Sequence, residues 1–244
     1  MLKTDLHIHT NAIHNFEGNY TPKQFIDKAI KLNFKVLAFT EHYFIGQNNP
    51  NYLKSYQETK DYAKEKGILL LPGVELRIPV KKNKSSKFNN YDILLINYEG
   101  DLSSIKTIED LKKTKKENNL IIAAHPFYGV NSIGNKLKKY KELIDAVEHC
   151  HYYHKHYNLN KKAIRVSKKL KLPLIANSDA HRFFQMNTNY TLVDSKLDAE
   201  SIIRAIKNNK TQIKTQPLSV LRCLKITLAM SYLAIRNLIG EKFK

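Results

Sequence analysis

With 244 residues, 42% of them hydrophobic and 26% charged, the chain can bury a sizeable core as one domain. Its two cysteines, Cys150 and Cys223, cannot build a disulfide framework, and its start has neither an apolar core nor a small-residue cleavage site, so a reducing, cytoplasmic setting is expected. A net charge of +19 and a pI near 9.7 suit anionic substrates. The lysines are scattered, apart from Lys81-Lys82-Asn83-Lys84 and a few helix clusters, and no RNA- or DNA-binding motif stands out. They are therefore read mainly as solvating helix faces.

Short apolar or β-branched runs alternate along the chain with amphipathic, lysine-rich stretches. Residues 3–8 predict the first strand. Thr21-Pro22 then supplies an N-cap and an N1 proline to a helix carrying Phe25, Ile26, Ala29 and Ile30. A second strand is expected over 36–40, a crossover helix over 55–66, and further strands over 68–76, 91–96, 120–124 and 146–149. A helix over 158–170 leads to a strand over 173–177, and Asp198 caps a helix holding Ile202, Ile203 and Ile206. Runs of this kind, each followed by polar or turn-like sequence, read as buried parallel strands with right-handed helical crossovers. About seven such units suggest a closed or nearly closed α/β barrel over residues 1–217, with no linker dividing it. Residues 218–244 differ. Leu221, Leu224, Leu228, Tyr232, Ile235 and Ile239 recur at helical spacing, while Lys225 and Arg236 leave too short a stretch for a transmembrane span of about 20 apolar residues. A basic amphipathic C-terminal helix is expected, packed on the barrel or on a second copy in a homo-oligomer, with an acidic lipid surface as the lesser alternative.

The histidines and acids fall at the strand ends. His7 and His9 close the first strand two residues apart, on one face. His42 follows the second, Glu75 closes the third, Asp92 lies in the fourth and His125 ends the fifth. Glu148, with His149 and His151 beside it, ends the sixth, and Asp179 and His181 follow the seventh. In a parallel barrel these ends share one rim, where such folds carry their active sites. One histidine after a strand is usually a surface or satisfied core residue. Polar groups at the end of nearly every strand are too costly to bury for no purpose, so the repetition points to a metal centre. Imidazole and carboxylate donors without thiolates suit Zn, Mn or Fe.

Segments 5–10, 40–42, 73–75, His125-Pro126 and 178–181 resemble, in order, the successive motifs of the PHP (polymerase and histidinol phosphatase) family. The resemblance spans roughly residues 1–215 and implies a distorted (β/α)7 TIM-like barrel holding up to three metal ions. Carried over position by position, it implies a first metal on His7, His9, Glu75 and Asp179, a second on Glu75 and His125, and a third on His42 and His181. His14 stands at the offset expected of a further ligand to the third metal. The fourth strand departs from the pattern: many members have a histidine ligand there, and Asp92 is the candidate in this chain. Asp5 and Glu41 are read as partners that orient the ligand imidazoles.

The chemistry expected is metal-assisted hydrolysis of phosphate esters, in which water rather than a Ser or Cys nucleophile attacks phosphorus and Glu75, Asp179 and His181 are the catalytic candidates. Cys150 reads as a small packing residue. Arg182, Arg77 and His151 are candidates for holding the phosphate or, for His151, for protonating the leaving group. His154 and His156 continue the same His-rich loop. A nucleotide or another small phosphorylated metabolite, histidinol phosphate included, is the favoured substrate. A nuclease acting on DNA or RNA is the alternative, and a non-catalytic nucleic-acid-binding subunit the least favoured reading.

Overall fold

In the computed structural model, residues 1–13, 20–46, 51–80, 90–129 and 131–240 are described, the side chains of residues 230 and 233–240 aside. His14 and the Lys81-Lys82-Asn83-Lys84 cluster lie outside the described residues. The strands are β1 (Leu2–Ile8), β2 (Val36–Phe39), β3 (His42–Phe44), β4 (Leu69–Pro79), β5 (Asn90–Ile96), β6 (Leu120–Ala123), β7 (Ala146–His149), β8 (Leu174–Ala176), β9 (Asn189–Val193) and β10 (Thr211–Thr215). The helices are α1 (Pro22–Lys31), α2 (Lys54–Gln57), α3 (Lys60–Glu65), α4 (Asn160–Leu170), α5 (Ala199–Lys207) and α6 (Val220–Gly240).

The strands form one sheet in the order β10-β9-β1-β2-β4-β5-β6-β7-β8, with β3 pairing on β4. It curls into a distorted, nearly closed TIM-like barrel. The free edge of β8 meets β9 through Thr191, whose hydroxyl accepts from Ala176 N–H and donates to Ala176 C=O, both at 2.8 Å. Just above, Ile8 and Ala180 form a parallel bridge, and His9 N–H donates to Ala180 C=O at 3.0 Å.

The expectation of parallel strands throughout is corrected in two places. β5 runs antiparallel to both β4 and β6, and β9 runs antiparallel to β1. No α-helix separates β4 from β5 or β5 from β6 among the described residues; the second connection holds a 3-10 helix, Ile108–Lys113. A strand entered without a crossover helix can reverse beside its neighbour, and this reversal brings Asp92, near the start of β5, to the rim. The helix expected over 55–66 breaks into α2 and α3, where the Thr59 hydroxyl bonds to Ser55 C=O, the back-bonding that bends helices. Strands β3, β9 and β10 carried no clear apolar run and are additions to the sequence reading.

Helix starts follow their caps. Thr21 accepts from Gln24 N–H while Gln24 Oε1 accepts from Thr21 N–H, a reciprocal box that fixes α1. Asp198 accepts from Ser201 N–H at 2.8 Å and starts α5. That helix presses Ile202, Ile203 and Ile206 onto Leu6, Val36, Ala38, Leu71, Leu94 and Ile122, giving an apolar cluster below the polar rim. α1 covers the opposite face of β1 and β2 with Phe25 and Ile26 against Ile8, Leu37 and Phe39; burying each such side chain contributes about 1.5–3 kcal/mol. α6 touches the rest through Ile226, through Thr227 Oγ1 at 2.7 Å from Tyr152 OH, and through Lys225 over the Phe184 ring. No helix among the described residues is long and apolar enough to cross a membrane.

Candidate metal centre

His7 and His9 leave β1 where its register with β2 shifts between Asp5 and Ile8. The irregularity lets Leu6 join the apolar cluster while His7 reaches the rim. His7 Nδ1 lies 3.0 Å from Glu148 Oε1, so its Nε2 faces the centre. There it stands 3.1 Å from His9 Nε2, 3.4 Å from Asp179 Oδ1 and 3.6 Å from Glu75 Oε2. His9 Nε2 lies 3.3 Å from Asp179 Oδ1 and 3.4 Å from Glu75 Oε2, and its ring stacks on His181 with centroids 4.3 Å apart.

Glu75 is the hub. The β3–β4 register sets His42 directly opposite it, with His42 Nδ1 2.7 Å from Oε2, while His125 Nε2 lies 3.2 Å from Oε1. Two residues earlier, Gly73 permits β4 to pass under Thr40: a Cβ there would sit 2.9 Å from Thr40 Cγ2 and 3.0 Å from Phe39 C=O. His125 and Asp179 leave β6 and β8 with φ of 26° and 47°. Such conformations cost a non-glycine residue about 1–3 kcal/mol and gather at functional sites.

Three groupings result, each with its ligand atoms within 4.8 Å of one another: His9, His42 and His181; His7, His9 and Asp179; His7, Glu75 and His125. Burial works against charge on Glu75 and Asp179, yet both are held well below the usual carboxylate range by the imidazoles, His42 and His7 foremost for Glu75 and His7 for Asp179. The reciprocal field of Glu148, Asp179 and Glu75 overcomes burial at His7 and raises its pKa, and Glu75 lifts His125 to about 9. His9 goes the other way, lowered by burial and then by His181 and His42. A field that favours a proton favours any cation. With imidazole nitrogens facing one another at 3.1 Å and His9 Nδ1 buried without a hydrogen bond, protons alone do not satisfy the set. Nitrogen and carboxylate donors in this arrangement fit divalent Zn, Mn or Fe.

The other sequence candidates fall as follows. Asp92 is in none of the three groupings; both of its oxygens are taken by Arg77, Nε at 2.8 Å and Nη2 at 3.0 Å. Burial and then the charge of Glu75 push its pKa up, against the pull of Arg77. Asp5 was expected to orient an imidazole, but its Oδ1 accepts from the backbone N–H groups of Ser178 at 3.1 Å and His7 at 3.4 Å, tying β1 to the segment after β8. Glu41 clasps the Thr10 N–H and hydroxyl and so fixes the exit of β1. Arg182 is buried on the segment after β8. His151 is buried, with Nδ1 3.8 Å from Asp179 Oδ2, neither ring nitrogen hydrogen-bonded, and burial pushes its pKa down to about 4. The loop divides here, since His154 and His156 pair with each other away from the centre. Burial pushes the Cys150 thiol well up, which keeps it from forming a nucleophilic thiolate.

The orienting carboxylate is Glu148. Beyond His7, its Oε1 accepts from Asn177 Nδ2 at 2.8 Å and its Oε2 from His125 N–H at 2.8 Å. The strand-end pattern includes Glu148 but assigns it no role. The available signal was its position at the end of β7, facing inward beside a histidine-rich rim.

A family model for the PHP domain matches residues 5–171, and a model for a PHP-associated region matches residues 158–211. No curated protein matches the chain in sequence. Among solved structures, the chain is similar to a two-domain protein from Bacteroides vulgatus containing a predicted PHP-like metal-dependent phosphoesterase, with a TM-score of 0.68 and 20% identity. That alignment covers 88% of this chain and 65% of the other, so this chain spans less than two thirds of that protein. It is also similar to PsfC from Pseudomonas syringae, with a TM-score of 0.61, 16% identity and coverage of 96% and 98%. A third likeness is to the lesion-specific endonuclease PfuEndoQ from Pyrococcus furiosus, with a TM-score of 0.54, 15% identity and coverage of 87% and 57%. At these identities the likeness concerns the fold alone.

Proposed function

This chain belongs to the PHP family of metal-dependent phosphoesterases, and from that premise we propose that it hydrolyses the phosphate ester of a nucleotide or another small phosphorylated metabolite at a centre for two or three divalent ions. The observation that carries this reading is the convergence of donors on Glu75: its Oε2 lies 2.7 Å from His42 Nδ1 and its Oε1 3.2 Å from His125 Nε2, and His7, His9, Asp179 and His181 complete three adjoining groupings. Because an imidazole nitrogen has a single lone pair, His7 and His9 would go with Asp179 to one ion, the Glu75 carboxylate and His125 would hold a second, and His42 and His181 would hold a third. Bound there, Zn, Mn or Fe would make a water more acidic and neutralise charge on phosphoryl oxygens.

The chain's own residues then have distinct tasks. Glu148 orients His7 and steadies the backbone of His125. Glu75 supplies buried negative charge at the hub. The Asp179 side chain is 22% exposed, so this carboxylate stands at the mouth of the site, where its oxygens can accept a hydrogen bond from the attacking water and orient it. His181 packs against His9 and reaches Asp179 at 3.6 Å, which orients that carboxylate. His151 is kept neutral by burial and can donate one ring N–H to a phosphate oxygen. Arg182 lies on the segment that carries Asp179 and His181 and can supply a guanidinium to the same phosphate.

The net charge of +19 favours a second reading, a nuclease, because a polyanion gains most from it. One experiment separates the two. Purified protein loaded with Mn or Zn is given a nucleotide panel, histidinol phosphate and labelled single strands. Phosphate release from the small esters, lost on chelation and reduced by about 100-fold or more in His9→Ala, is expected. Strand cleavage with a steep salt dependence and no small-ester turnover would favour the nuclease. Phosphate release indifferent to both chelator and substitution would sink the metal-centred reading.

A further inference from the structure

We propose that α6 docks on an acidic lipid surface, lying in its plane with a leucine stripe among the acyl chains and its basic residues on the phosphate headgroups. Nothing in this docking draws on the phosphoesterase reading.

The helix has two unlike faces. At about 100° of rotation per residue, Val220, Leu221, Leu224, Leu228 and Tyr232 fall within about 120° of one another. All five side chains are more than half exposed, while Ile226, on the opposite face, is buried. The contacts that hold α6 leave the stripe unused. Thr227 Oγ1 lies 2.7 Å from Tyr152 OH, and Lys225 Nζ stands 4.6 Å from the centre of the Phe184 ring. These two residues sit at the margins of the stripe, which therefore points away from the rest of the molecule. A contiguous apolar face turned outward in this way marks a site of association.

Charge decides the occupant. Residues 201–240 hold seven basic residues and no acidic one, within a chain of net charge +19. Arg222 and Lys225 are both exposed and lie on one flank of the stripe. A second copy would set +19 against +19, whereas an anionic leaflet attracts both the chain and the two flanking cations. The long stems of Arg222 and Lys225 let their charges stay with headgroups while the leucines go deeper. Spanning is not the alternative, since no helix among the described residues is long and apolar enough to cross a membrane. An amphipathic basic helix of this kind lies in the interface. Tyr152 follows His151, and Phe184 follows Arg182 by two positions, so α6 is tied to the segments that leave β7 and β8 at the rim. Docking therefore sets the rim side of the barrel at the lipid surface.

The test uses the full chain with vesicles of phosphatidylglycerol and phosphatidylcholine in equal parts, and pure phosphatidylcholine vesicles as the neutral arm. Cosedimentation is expected to show partitioning onto the acidic vesicles about 10-fold or more above that onto the neutral ones. A net charge of +19 attracts an acidic surface by itself, so the deciding variant keeps the charge. Leu221→Ser/Leu224→Ser/Leu228→Ser is expected to lower the partition coefficient about 100-fold. Arg222→Gln/Lys225→Gln, which keeps the stripe, is expected to lower it about 10-fold. The chain has no tryptophan, so Leu228→Trp adds a single reporter to an otherwise intact helix, and its emission is expected to shift to the blue on acidic vesicles. Equal partitioning of the triple serine variant and the wild type would overturn the proposal, because charge alone would then account for binding. A wild type that stays off acidic vesicles, or a Leu228→Trp emission unmoved by them, would overturn it equally. So would a dimer seen by sedimentation velocity without lipid and abolished in the triple serine variant, since a second copy would then cover the stripe.

Discussion

Glu148 is bonded to three supports of the centre at once: the His7 ring, the His125 backbone and the Asn177 amide. Replacing it with Gln keeps the volume but removes the charge that helps hold His7 toward the other ligands. Metal affinity is expected to fall about 10- to 100-fold, read by calorimetry with Mn; an unchanged affinity would mean that His7 is oriented by something else. His149, the next residue, points the other way in function. It is buried beside Tyr153 and Asn189, and burial pushes its pKa down to about 4. The unfolded chain takes up this proton near pH 6.5 and the folded chain only near 4, so stability present above 6.5 is lost as the pH falls through that window. The contribution is about 3 kcal/mol. Urea unfolding at pH 7 and pH 4.5 should therefore show a larger acid loss for the wild type than for His149→Gln, and equal losses would contradict the assignment.

At the level of elements, the centre depends on β4 passing close beneath the exit of β2. Gly73 makes that approach possible, and the next inward residue on β4 is Glu75. Gly73→Ala is expected to cost about 1–3 kcal/mol, read from the urea midpoint, because Thr40 and the Phe39 carbonyl must shift. A midpoint within error of the wild type would mean the β2–β4 contact is looser than described. Much of this level was legible in the linear sequence. The apolar runs marked seven strands because buried strands are nearly continuous in Val, Ile and Leu, and Thr21-Pro22 and Asp198 marked helix starts because their side chains satisfy otherwise unpaired amides. β3, β9 and β10 were not legible, since short or half-exposed strands gain their order from a neighbour rather than from their own composition. The direction of β5 was hidden for a similar reason: nothing in an apolar run records which way it points.

Across the whole molecule, α6 meets the barrel through few of its described side chains. Leu221, Leu224 and Leu228 are 74%, 53% and 61% exposed, whereas Ile226 is buried. Leu218 is buried and donates its N–H to Tyr153 C=O at 2.8 Å, so a truncation placed after Ser219 keeps that bond. A chain ending there is expected to retain metal binding, with a Tm within a few degrees of the full chain, because among the described side chains of α6 only Ile226 is buried. A fall of about 10 °C or more would make the helix part of the barrel's core. Sedimentation of the two forms reads whether the exposed leucine face associates copies.

The sequence alone determined the chemistry of the rim. Imidazoles and carboxylates after successive apolar runs are a local pattern, and burying such groups is too unfavourable to recur without a purpose. Tertiary structure decided which of them meet. It joined His7 to Glu148 across 141 positions of chain, left Asp5 on backbone amides, and set Asp92 against Arg77. The physical reason is that strand direction, register and the positive φ of His125 and Asp179 are set by the sheet as a whole. A side chain's donor type is written in its own residue, while its partner depends on which strand lies beside it.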